Sequence, residues 1–156
     1  MNRFEVVSPI HIKNKDFKTM LPIKATIGSA GYDFYAPETK LMKPKTKYKF
    51  WTDIKVCLNL DEVLRLTQRS SVGNEQSIML ANTIGTIDSD YYGNEGNDGN
   101  IGVCLYNYGE DTIKINRGER IVQGIIFKIA YDEDEITTTM NKNPVKRIGG
   151  FGSTGK

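Results

Sequence analysis

The stretch I-V-Q-G-I-I-F-K-I, residues Ile121–Ile129, is the strongest indicator of fold in this chain. It is apolar at consecutive positions, and its β-branched content is typical of a strand that is buried on both faces. The turn sequence Asn-Arg-Gly at 116–118 precedes it. We therefore predict a buried central strand, in which the polar Gln123 needs a hydrogen-bonding partner if it is buried.

Shorter runs of the same kind occur on both sides of this strand, while helical periodicity is nearly absent. Turn sequences at 28–31 and 108–111 separate them. The other predicted strands are Ile23–Ile27, Tyr48–Asn59, Ile78–Ala81, Ile101–Asn107, Thr112–Ile115 and Glu135–Thr139. Only Leu60–Thr67 is compatible with a helix, and it is short. The pattern predicts an all-β sandwich or barrel.

Composition restricts the classes of function. The chain has 156 residues, 38% hydrophobic and 26% charged, which is typical of one soluble domain. No apolar run is long enough to cross a membrane, and the first residues lack the apolar core of a signal peptide, so we expect a cytosolic protein without a membrane partner. The basic run Lys40–Phe50 alternates lysine with other residues, which predicts an exposed edge strand. It lacks the arginines and clustered aromatics of a nucleic-acid site, so no nucleic-acid partner is expected.

Five stretches place polar, glycine or aromatic residues beside the predicted strands. They are S-A-G-Y-D-F-Y-A-P (29–37), Q-R-S-S-V-G (68–73), N-T-I-G-T-I-D-S-D-Y-Y-G (82–93), R-G-E-R-I-V-Q-G (117–124) and R-I-G-G-F-G-S-T-G-K (147–156). Arginines, hydroxyls, carboxylates and rings together favour a phosphorylated ligand that carries a ring. The single His11 argues against a Ser-His-Asp hydrolase and a zinc deaminase. From the residues alone, Asp88 and Asp90 are equal candidates for a carboxylate beside the pocket.

Five motifs within these stretches resemble, in order, those of the homotrimeric dUTP pyrophosphatases (dUTPases). They read A-G-Y-D (30–33), R-S-S (69–71), N-x-x-G-T-I-D-S-D-Y (82–91), G-E-R-I-V-Q (118–123) and R-I-G-G-F-G-S-T-G (147–155). The resemblance implies a distorted jelly-roll β-barrel core at 1–146. It also implies a mobile C-terminal arm at 147–156, which closes over a neighbouring subunit's active site. The implied reaction is hydrolysis of dUTP to dUMP and pyrophosphate with Mg²⁺, in a homotrimer whose sites lie at subunit interfaces.

The resemblance also implies roles for individual residues. Asp88 is implied to be the general base that activates a water for attack on the α-phosphorus. Asp33 is implied to contact the water shell of Mg²⁺ without binding the metal itself. The ring of Tyr91 is implied to lie under the deoxyribose and exclude a ribose 2′-hydroxyl. The other implied nucleoside contacts are Asn82, Gly85, Thr86, Ile87 and Phe151. The implied phosphate contacts are Arg69, Ser70, Ser71, Gln123, Arg147, Gly152, Ser153 and Thr154. Arg120 is expected to be structural, and Tyr92 is given no role.

The segment G-N-E-G-N-D-G-N at 93–100 departs from the commoner family pattern. It resembles the insertion in dUTPases of bacteriophages and Gram-positive bacteria, and we expect a mobile hairpin loop that projects from the trimer. If the protein is phage-encoded, its expected location is the host cytosol. An alternative function stays open, in which a trimeric dUTP-responsive interaction protein docks a regulatory protein through 93–100. The related dCTP deaminases are disfavoured, because their glutamate base is absent from the third motif.

Overall fold

The computed structural model describes residues 3–69, 77–130, 132, 134, 137, 139, 149 and 150. Their strands are β1 Phe4–Val6, β2 Ile23–Lys24, β3 Tyr32–Tyr35, β4 Lys40–Met42, β5 Lys47–Trp51, β6 Ile54–Val56, β7 Glu62–Thr67, β8 Ile78–Leu80, β9 Gly85–Asp88, β10 Gly102–Asn107, β11 Ile113–Ile115 and β12 Arg120–Lys128. Pro9–His11 and Ser89–Tyr91 form single 3₁₀ turns. Within the described ranges, no helix is long and apolar enough to span a membrane.

Every strand pair in the described part of the chain is antiparallel. The largest sheet has five strands in the order β2-β3-β12-β7-β9, and a second sheet has the order β5-β10-β8. Two further pairs, β1-β6 and β11-β4, close the ends of the molecule. The inner faces of all four sheets contribute to one apolar core, which includes Phe34, Met42, Phe50, Leu64 and Val103. The fold is a jelly-roll-type all-β barrel, as predicted.

The strand at Ile121–Ile129 is central, as the sequence predicted, because β12 lies between β3 and β7. Its burial is restricted to the first half. Ile121 and Val122 are buried, whereas Phe127 is 43% exposed. Gly124 is needed at the centre, because a Cβ there would lie 2.8 Å from Phe34 Cε2 and 2.9 Å from Leu64 Cδ1. The strand can therefore approach the core closely only at this glycine.

Several predicted element boundaries are wrong. The strand predicted at Tyr48–Asn59 is split into β5 and β6 at Asp53, whose φ of 59° places it in the left-handed region. The carboxylate of Asp53 stabilises this corner by accepting hydrogen bonds from the backbone of Lys13 and Asn14, both at 2.8 Å. The basic run Lys40–Phe50 is likewise two strands, joined by a turn at Lys45 with φ of 58°. Of these, β5 lies at a sheet edge, as predicted.

Three further assignments change. Leu60–Thr67, compatible with a helix, contains strand β7, whose Leu64 and Leu66 are buried while Arg65 between them is exposed. The strand predicted at Glu135–Thr139 is wrong at its described positions, because Thr137 and Thr139 have helical backbone. At Ile23–Ile27 only Ile23 and Lys24 are in a strand. Strands β1, β3 and β9 were not predicted, because runs of three or four residues leave too little periodicity to detect.

Candidate active site

A cleft of about 470 Å³ opens between the five-stranded and three-stranded sheets. Five of the predicted nucleoside residues line it: Asn82, Gly85, Thr86, Ile87 and Tyr91. They belong to one continuous segment, in which a turn leads into β9 and β9 leads into the 3₁₀ turn at Ser89–Tyr91. The structure therefore brings this part of the predicted site together through local sequence.

Strand β9 supplies backbone groups to the cleft. It is an edge strand, paired with β7 on one side only in the described sheet. A strand edge of this kind can hydrogen-bond a planar polar ligand in the way it would bond another strand. The turn before it is tight, with Thr83 at a φ of 64° and Ile84 N donating to Asn82 O at 2.6 Å. Asn82 therefore presents an exposed side chain beside the cleft, while its own carbonyl is used in the turn.

Asp88 ends β9 and directly precedes the 3₁₀ turn that carries Tyr91. Its side chain is exposed, and it is not part of the cleft wall, although its neighbour Ile87 is. Asp90 is also exposed, inside the turn. Asp88 and Asp90 therefore differ in the element that holds their backbone. Asp88 lies on the paired strand opposite Val63, whereas Asp90 lies inside the 3₁₀ turn.

Tyr91 forms an almost fully buried wall of the cleft, with 6% of its surface exposed. Its Oη donates to Asn100 O at 2.8 Å and accepts a hydrogen bond from Asn97 Nδ2 at 2.7 Å. Gly150 lies against the ring, since a Cβ there would be 2.8 Å from Tyr91 Cε2. Gly150 thus lies in the cleft of its own chain, and closure of the arm over a neighbouring subunit's site stays a prediction.

The loop at 93–100 was expected to be a mobile hairpin that projects, but it packs against the barrel of its own chain. Asn94 is 4% exposed and Asn100 is fully buried. Asn94 Nδ2 donates to Tyr91 O at 2.7 Å, and Asn100 Nδ2 donates to Asp53 Oδ1 at 2.9 Å. The apparent low complexity is a repeated Asn-x-Gly turn. Asn94 Oδ1 accepts from Gly96 N, and Asn97 Oδ1 accepts from Gly99 N, in both cases at 3.1 Å. Asparagine at this offset from glycine is a known turn signature, and it was the signal that the sequence prediction missed.

Charged groups attach the same loop to the β1-β6 pair. Asp98 accepts a hydrogen bond from Ser8 N at 2.6 Å and pairs with Lys55 Nζ at 3.0 Å. Burial would raise the pKa of Asp98, but these two partners outweigh it and the pKa is lowered. Tyr92 Oη donates to Glu5 Oε2 at 2.7 Å, which together with burial raises the pKa of Tyr92 to about 12. Tyr92 therefore has a structural role, which the sequence did not predict.

A second cluster lies on the outer face of the five-stranded sheet. Asp33 on β3 is 7% exposed and accepts from two arginines, with Arg69 Nε at 3.0 Å and Arg120 Nη1 at 3.3 Å. The Arg69 side chain is 21% exposed and that of Arg120 is 46% exposed. One carboxylate thus holds two guanidinium groups side by side, which is an arrangement suited to a polyanion. Arg120 pairs with Asp33, and its expected structural role stays a prediction.

Gln123 joins this cluster through strand register. It lies opposite Asp33 on one side and opposite Thr67 on the other. Gly31 allows the close approach, because a Cβ there would lie 2.7 Å from Gln123 Oε1. The half-buried Gln123 Nε2 has the Gln68 carbonyl at 3.5 Å, the long limit for a hydrogen bond. Motifs far apart in sequence therefore meet here by register alone.

Asp88 lies far from the Asp33 cluster on one chain. Asp33 and Thr67 of β7 lie on opposite sides of the same residue of β12, Gln123. Asp88 lies opposite Val63, which is four residues from Thr67 along β7. Three strand spacings also separate β3 from β9. With about 3.4 Å per residue and about 4.8 Å per strand, the two carboxylates are roughly 20 Å apart along the sheet. A single chain therefore presents two half-sites.

Several predicted site residues lie outside the described part of the chain: Ser70, Ser71, Arg147, Phe151, Gly152, Ser153 and Thr154. The cleft also contains residues that the sequence did not predict: Lys47, Lys49, Leu80, Ile101, Gly102 and Cys104. They come from β5, β8, β10 and the residue just before β10, and the sheet pairing brings them to the cleft.

The described side chains limit how the implied magnesium ion could be bound. In the described ranges, no group of three or more His, Cys, Asp or Glu side chains could hold a metal ion. Asp33 is the one carboxylate paired with the two arginines of the second half-site. These residues fit a magnesium ion that takes its oxygen ligands from a polyphosphate and water.

Comparison with known proteins agrees with the geometry. A sequence model of the dUTPase family matches residues 18–155. The deoxyuridine 5′-triphosphate nucleotidohydrolase of Lactococcus lactis subsp. lactis is 37% identical over 97% of this chain and 96% of its own length. The crystal structure of dUTPase from Streptococcus mutans superposes with a TM-score of 0.74, at 30% identity over 85% of this chain and 99% of that one.

A phage relative shares the fold. A mutant dUTPase from phage phi11 of S. aureus, described as coordinating a structural Mg(II) ion, superposes with a TM-score of 0.65. It is 23% identical, and the match covers 85% of this chain and 94% of that one. With the family match over most of the sequence, the chain belongs to the dUTPase family of deoxyuridine 5′-triphosphate nucleotidohydrolases.

Proposed function

We propose that this dUTPase cleaves dUTP to dUMP and pyrophosphate at sites assembled between copies of the chain. The observation that supports this most directly is the separation of two complementary half-sites, one suited to a nucleoside and one to a polyanion. Because both are made of family motifs, each needs the other to act on a nucleoside triphosphate. We further propose a cytosolic location, in keeping with two cysteines, Cys57 and Cys104, that are free.

The cleft is the nucleoside half-site. The backbone edge of β9 and the side chain of Asn82 read the polar edge of uracil. Cytosine presents a donor where uracil presents an acceptor, so it leaves a polar group unpaired. The buried ring of Tyr91 lies under the sugar, where a 2′-hydroxyl collides with it. Phe151 of the arm stacks on the base from the other side.

Asp88 carries the chemical step. Its carboxylate takes a proton from the attacking water, which forms a bond to the α-phosphorus while the bond to the pyrophosphate oxygen breaks. Its position on the strand next to Ile87 relates the base to the bound nucleoside. A carboxylate that is ionised at neutral pH suits this role.

The Asp33 cluster is the phosphate half-site. Arg69, Ser70, Ser71 and Gln123 contact phosphate oxygens from this side, and Arg147, Gly152, Ser153 and Thr154 contact them from the arm. Mg²⁺, when bound to the triphosphate, supplies charge neutralisation and orders its oxygens. Asp33 orients Arg69 and accepts hydrogen bonds from the water around the ion.

A homotrimer provides the arrangement that joins the half-sites. In a closed ring, the Asp33 cluster of one subunit faces the cleft of the next. The alternative, in which one chain bends to bring them together, requires the five-stranded sheet to break. We therefore propose three equivalent active sites, each between subunits.

Mixed trimers test this assembly. Arg69→Ala disables the phosphate half-site and Asp88→Asn disables the base, so each variant alone is inactive. When both are unfolded and refolded together in equal amounts, about a quarter of the sites receive two intact halves if the halves come from different subunits. Recovery of dUTP hydrolysis near this level, measured as pyrophosphate release, supports the proposal. No recovery, with trimers shown by size-exclusion chromatography with light scattering, would assign both halves to one chain.

The arm is proposed to act as a lid. Truncation after Lys146 removes Phe151 and the glycine-rich phosphate contacts, so it should abolish most turnover. The fold and the trimer should persist, as measured by circular dichroism and light scattering. Full activity of the truncated chain would contradict a lid function.

The alternative function, docking of a regulatory protein through 93–100, stays a prediction. In this loop only Gly93, Glu95 and Gly96 are exposed, so a partner has a small contact area there. Replacing Glu95 by Arg tests it. Regulator binding should fall while dUTP hydrolysis is retained, because the loop's anchoring asparagines are unchanged.

A further inference from the structure

The loop at 93–100 grips Tyr91 at two separate points. Asn97 Nδ2 donates to the Tyr91 hydroxyl at 2.7 Å, and Asn94 Nδ2 donates to the Tyr91 backbone carbonyl at 2.7 Å. The same hydroxyl donates to Asn100 O at 2.8 Å. The loop therefore contacts both ends of the residue that forms a wall of the cleft. Two of these hydrogen bonds are made to the phenol oxygen, so the loop directly restrains a side chain of the cleft.

The two asparagines are coupled to each other. Asn94 Nδ2 donates to Asn97 Oδ1 at 2.8 Å, and Asn97 N donates to Asn94 Oδ1 at 3.1 Å. The side-chain amide of Asn97 is oriented in this way, since its oxygen is occupied by Asn94 Nδ2 and Gly99 N. Its nitrogen then donates to Tyr91 Oη at 2.7 Å and, more weakly, to Asn100 O at 3.3 Å. Orienting both ends of one amide fixes the donor with little conformational freedom.

The loop backbone is fitted equally closely. Gly99 has a φ of 82°, and a Cβ there would lie 2.9 Å from the Tyr91 carbonyl oxygen. Beyond it, Asn100 is fully buried and forms two hydrogen bonds with Asp53. Asn100 Oδ1 accepts from Asp53 N at 3.0 Å, and Asn100 Nδ2 donates to Asp53 Oδ1 at 2.9 Å. The contacts to Tyr91 are thus anchored to the corner between β5 and β6, and motion of the phenol ring requires motion of this corner.

We propose that Asn97 is a positioning residue for sugar selection, which holds the Tyr91 ring at the height that accepts a deoxyribose and excludes a ribose. This inference rests on the proposed role of Tyr91 under the sugar. The Tyr91 ring can exclude a ribose by contact with its 2′-hydroxyl only if the ring cannot tilt away from the sugar. In Tyr91 the buried hydroxyl end, and not the ring face, is the part that the loop restrains.

Two variants remove this restraint from opposite sides. Asn97→Asp keeps the oxygen that accepts from Gly99 N and Asn94 Nδ2, but replaces the donor to Tyr91 with an oxygen. The single Tyr91 O–H can then donate to that oxygen or to Asn100 O, so one of the two contacts is lost. Tyr91→Phe removes the hydroxyl and leaves Asn97 intact. Lys55→Met is the matched control, because it breaks the ion pair with Asp98 that anchors the same loop and does not contact Tyr91.

Binding of the non-hydrolysable α,β-imido analogues of dUTP and UTP, measured by calorimetry, gives a readout independent of turnover. The wild-type chain should prefer the deoxy analogue. Asn97→Asp should reduce this preference about tenfold, the effect of one neutral hydrogen bond. Tyr91→Phe should reduce it at least as much, because it also removes the bond to Asn100 O. Lys55→Met should retain it, even if its melting temperature falls. The double variant should lose no more than Tyr91→Phe alone, because both changes remove the same bond.

The outcomes separate the inference from the proposed function. If Asn97→Asp keeps the full preference for the deoxy analogue, the positioning role is wrong. If Asn97→Asp does not fold, the same result with Tyr91→Phe overturns it. If Lys55→Met loses as much preference as Asn97→Asp, general loosening of the loop is responsible and the specific role of Asn97 is overturned. If the wild-type chain binds neither analogue, the proposed function itself fails. If it binds both equally, Tyr91 does not select the sugar and the inference falls with it.

Discussion

Arg69 Nε lies 3.0 Å from Asp33 Oδ1, so a residue predicted to bind phosphate and one predicted to sit near the metal are partners in one ion pair. Arg120 shares the same carboxylate at 3.3 Å and is more exposed. Asp33 therefore positions both guanidinium groups, and loss of either arginine leaves the acid with the other. The difference between the two arginines is open to measurement.

Replacing Arg69 by Lys should lower kcat/KM for dUTP about a hundredfold, because a lysine cannot pair with Asp33 and bind phosphate in the same planar geometry. The matched change Arg120→Lys should cost less than about threefold, since a half-exposed pair contributes little. Steady-state kinetics with pyrophosphate as readout compares them. Equal losses would show that Arg120 also contacts substrate.

Replacing Asp88 by Asn should lower kcat about a thousandfold, within the range for loss of a general base. Affinity for the α,β-imido analogue of dUTP should change little, because the amide keeps the size of the side chain. Asp90→Asn is the control from the same segment and should retain near-native kcat. The reverse pattern would transfer the role of base to Asp90, the alternative that the residues alone left open.

Gly124→Ala should destabilise the fold by about 2 kcal/mol or more, because the new methyl group overlaps Phe34 and Leu64 at the centre of the core. Gly28→Ala is the control, since nothing lies within 4 Å of a Cβ there, and it should change stability by less than about 0.5 kcal/mol. Urea denaturation followed by Trp51 fluorescence measures both. Equal stability of the two variants would show that β12 shifts without cost.

Stability should depend on pH through Glu62. Hydrogen bonds from Arg3, at 2.6 and 3.0 Å, and from Asn59 N lower the pKa of Glu62 from 4.5 to about 2. Because the folded-state pKa is below the unfolded one, this stabilisation is complete above pH 4.5 and is lost as the pH falls towards 2.

Arg3→Met should therefore cost about 2 kcal/mol at pH 7, less than the roughly 3–5 kcal/mol of a fully buried pair because Arg3 is partly exposed. The cost should shrink as the pH falls from 4.5 to 2. Lys128→Met breaks an exposed ion pair with Asp61 and removes only a minor attraction to Glu62, so its cost should be much smaller over the same pH range. Denaturation midpoints across this range check the prediction, and a pH-independent cost would contradict the Glu62 assignment.

The loop at 93–100 shows why part of the site could not be predicted. Its sequence is polar and rich in glycine, which favours an exposed and mobile segment. In the fold, the side chains of Asn94, Asn97 and Asn100 find partners on Tyr91 and Asp53, so the same residues hold the loop against the barrel. Whether an asparagine caps its own turn or reaches a distant partner depends on what the fold places beside it.

By itself, the sequence determined the all-β class, the central strand and the five motifs, because side-chain alternation, turn residues and local motifs are properties of neighbours along the chain. Only the tertiary structure decided which motifs meet. Asp33, Gln123 and Thr67 align through strand register, and Arg69 and Arg120 converge on one carboxylate. The same register places Asp88 at another position on the sheet. Register depends on pairing between residues distant in sequence, and this pairing groups Gln123 with Asp33 while it leaves Asp88 apart from them.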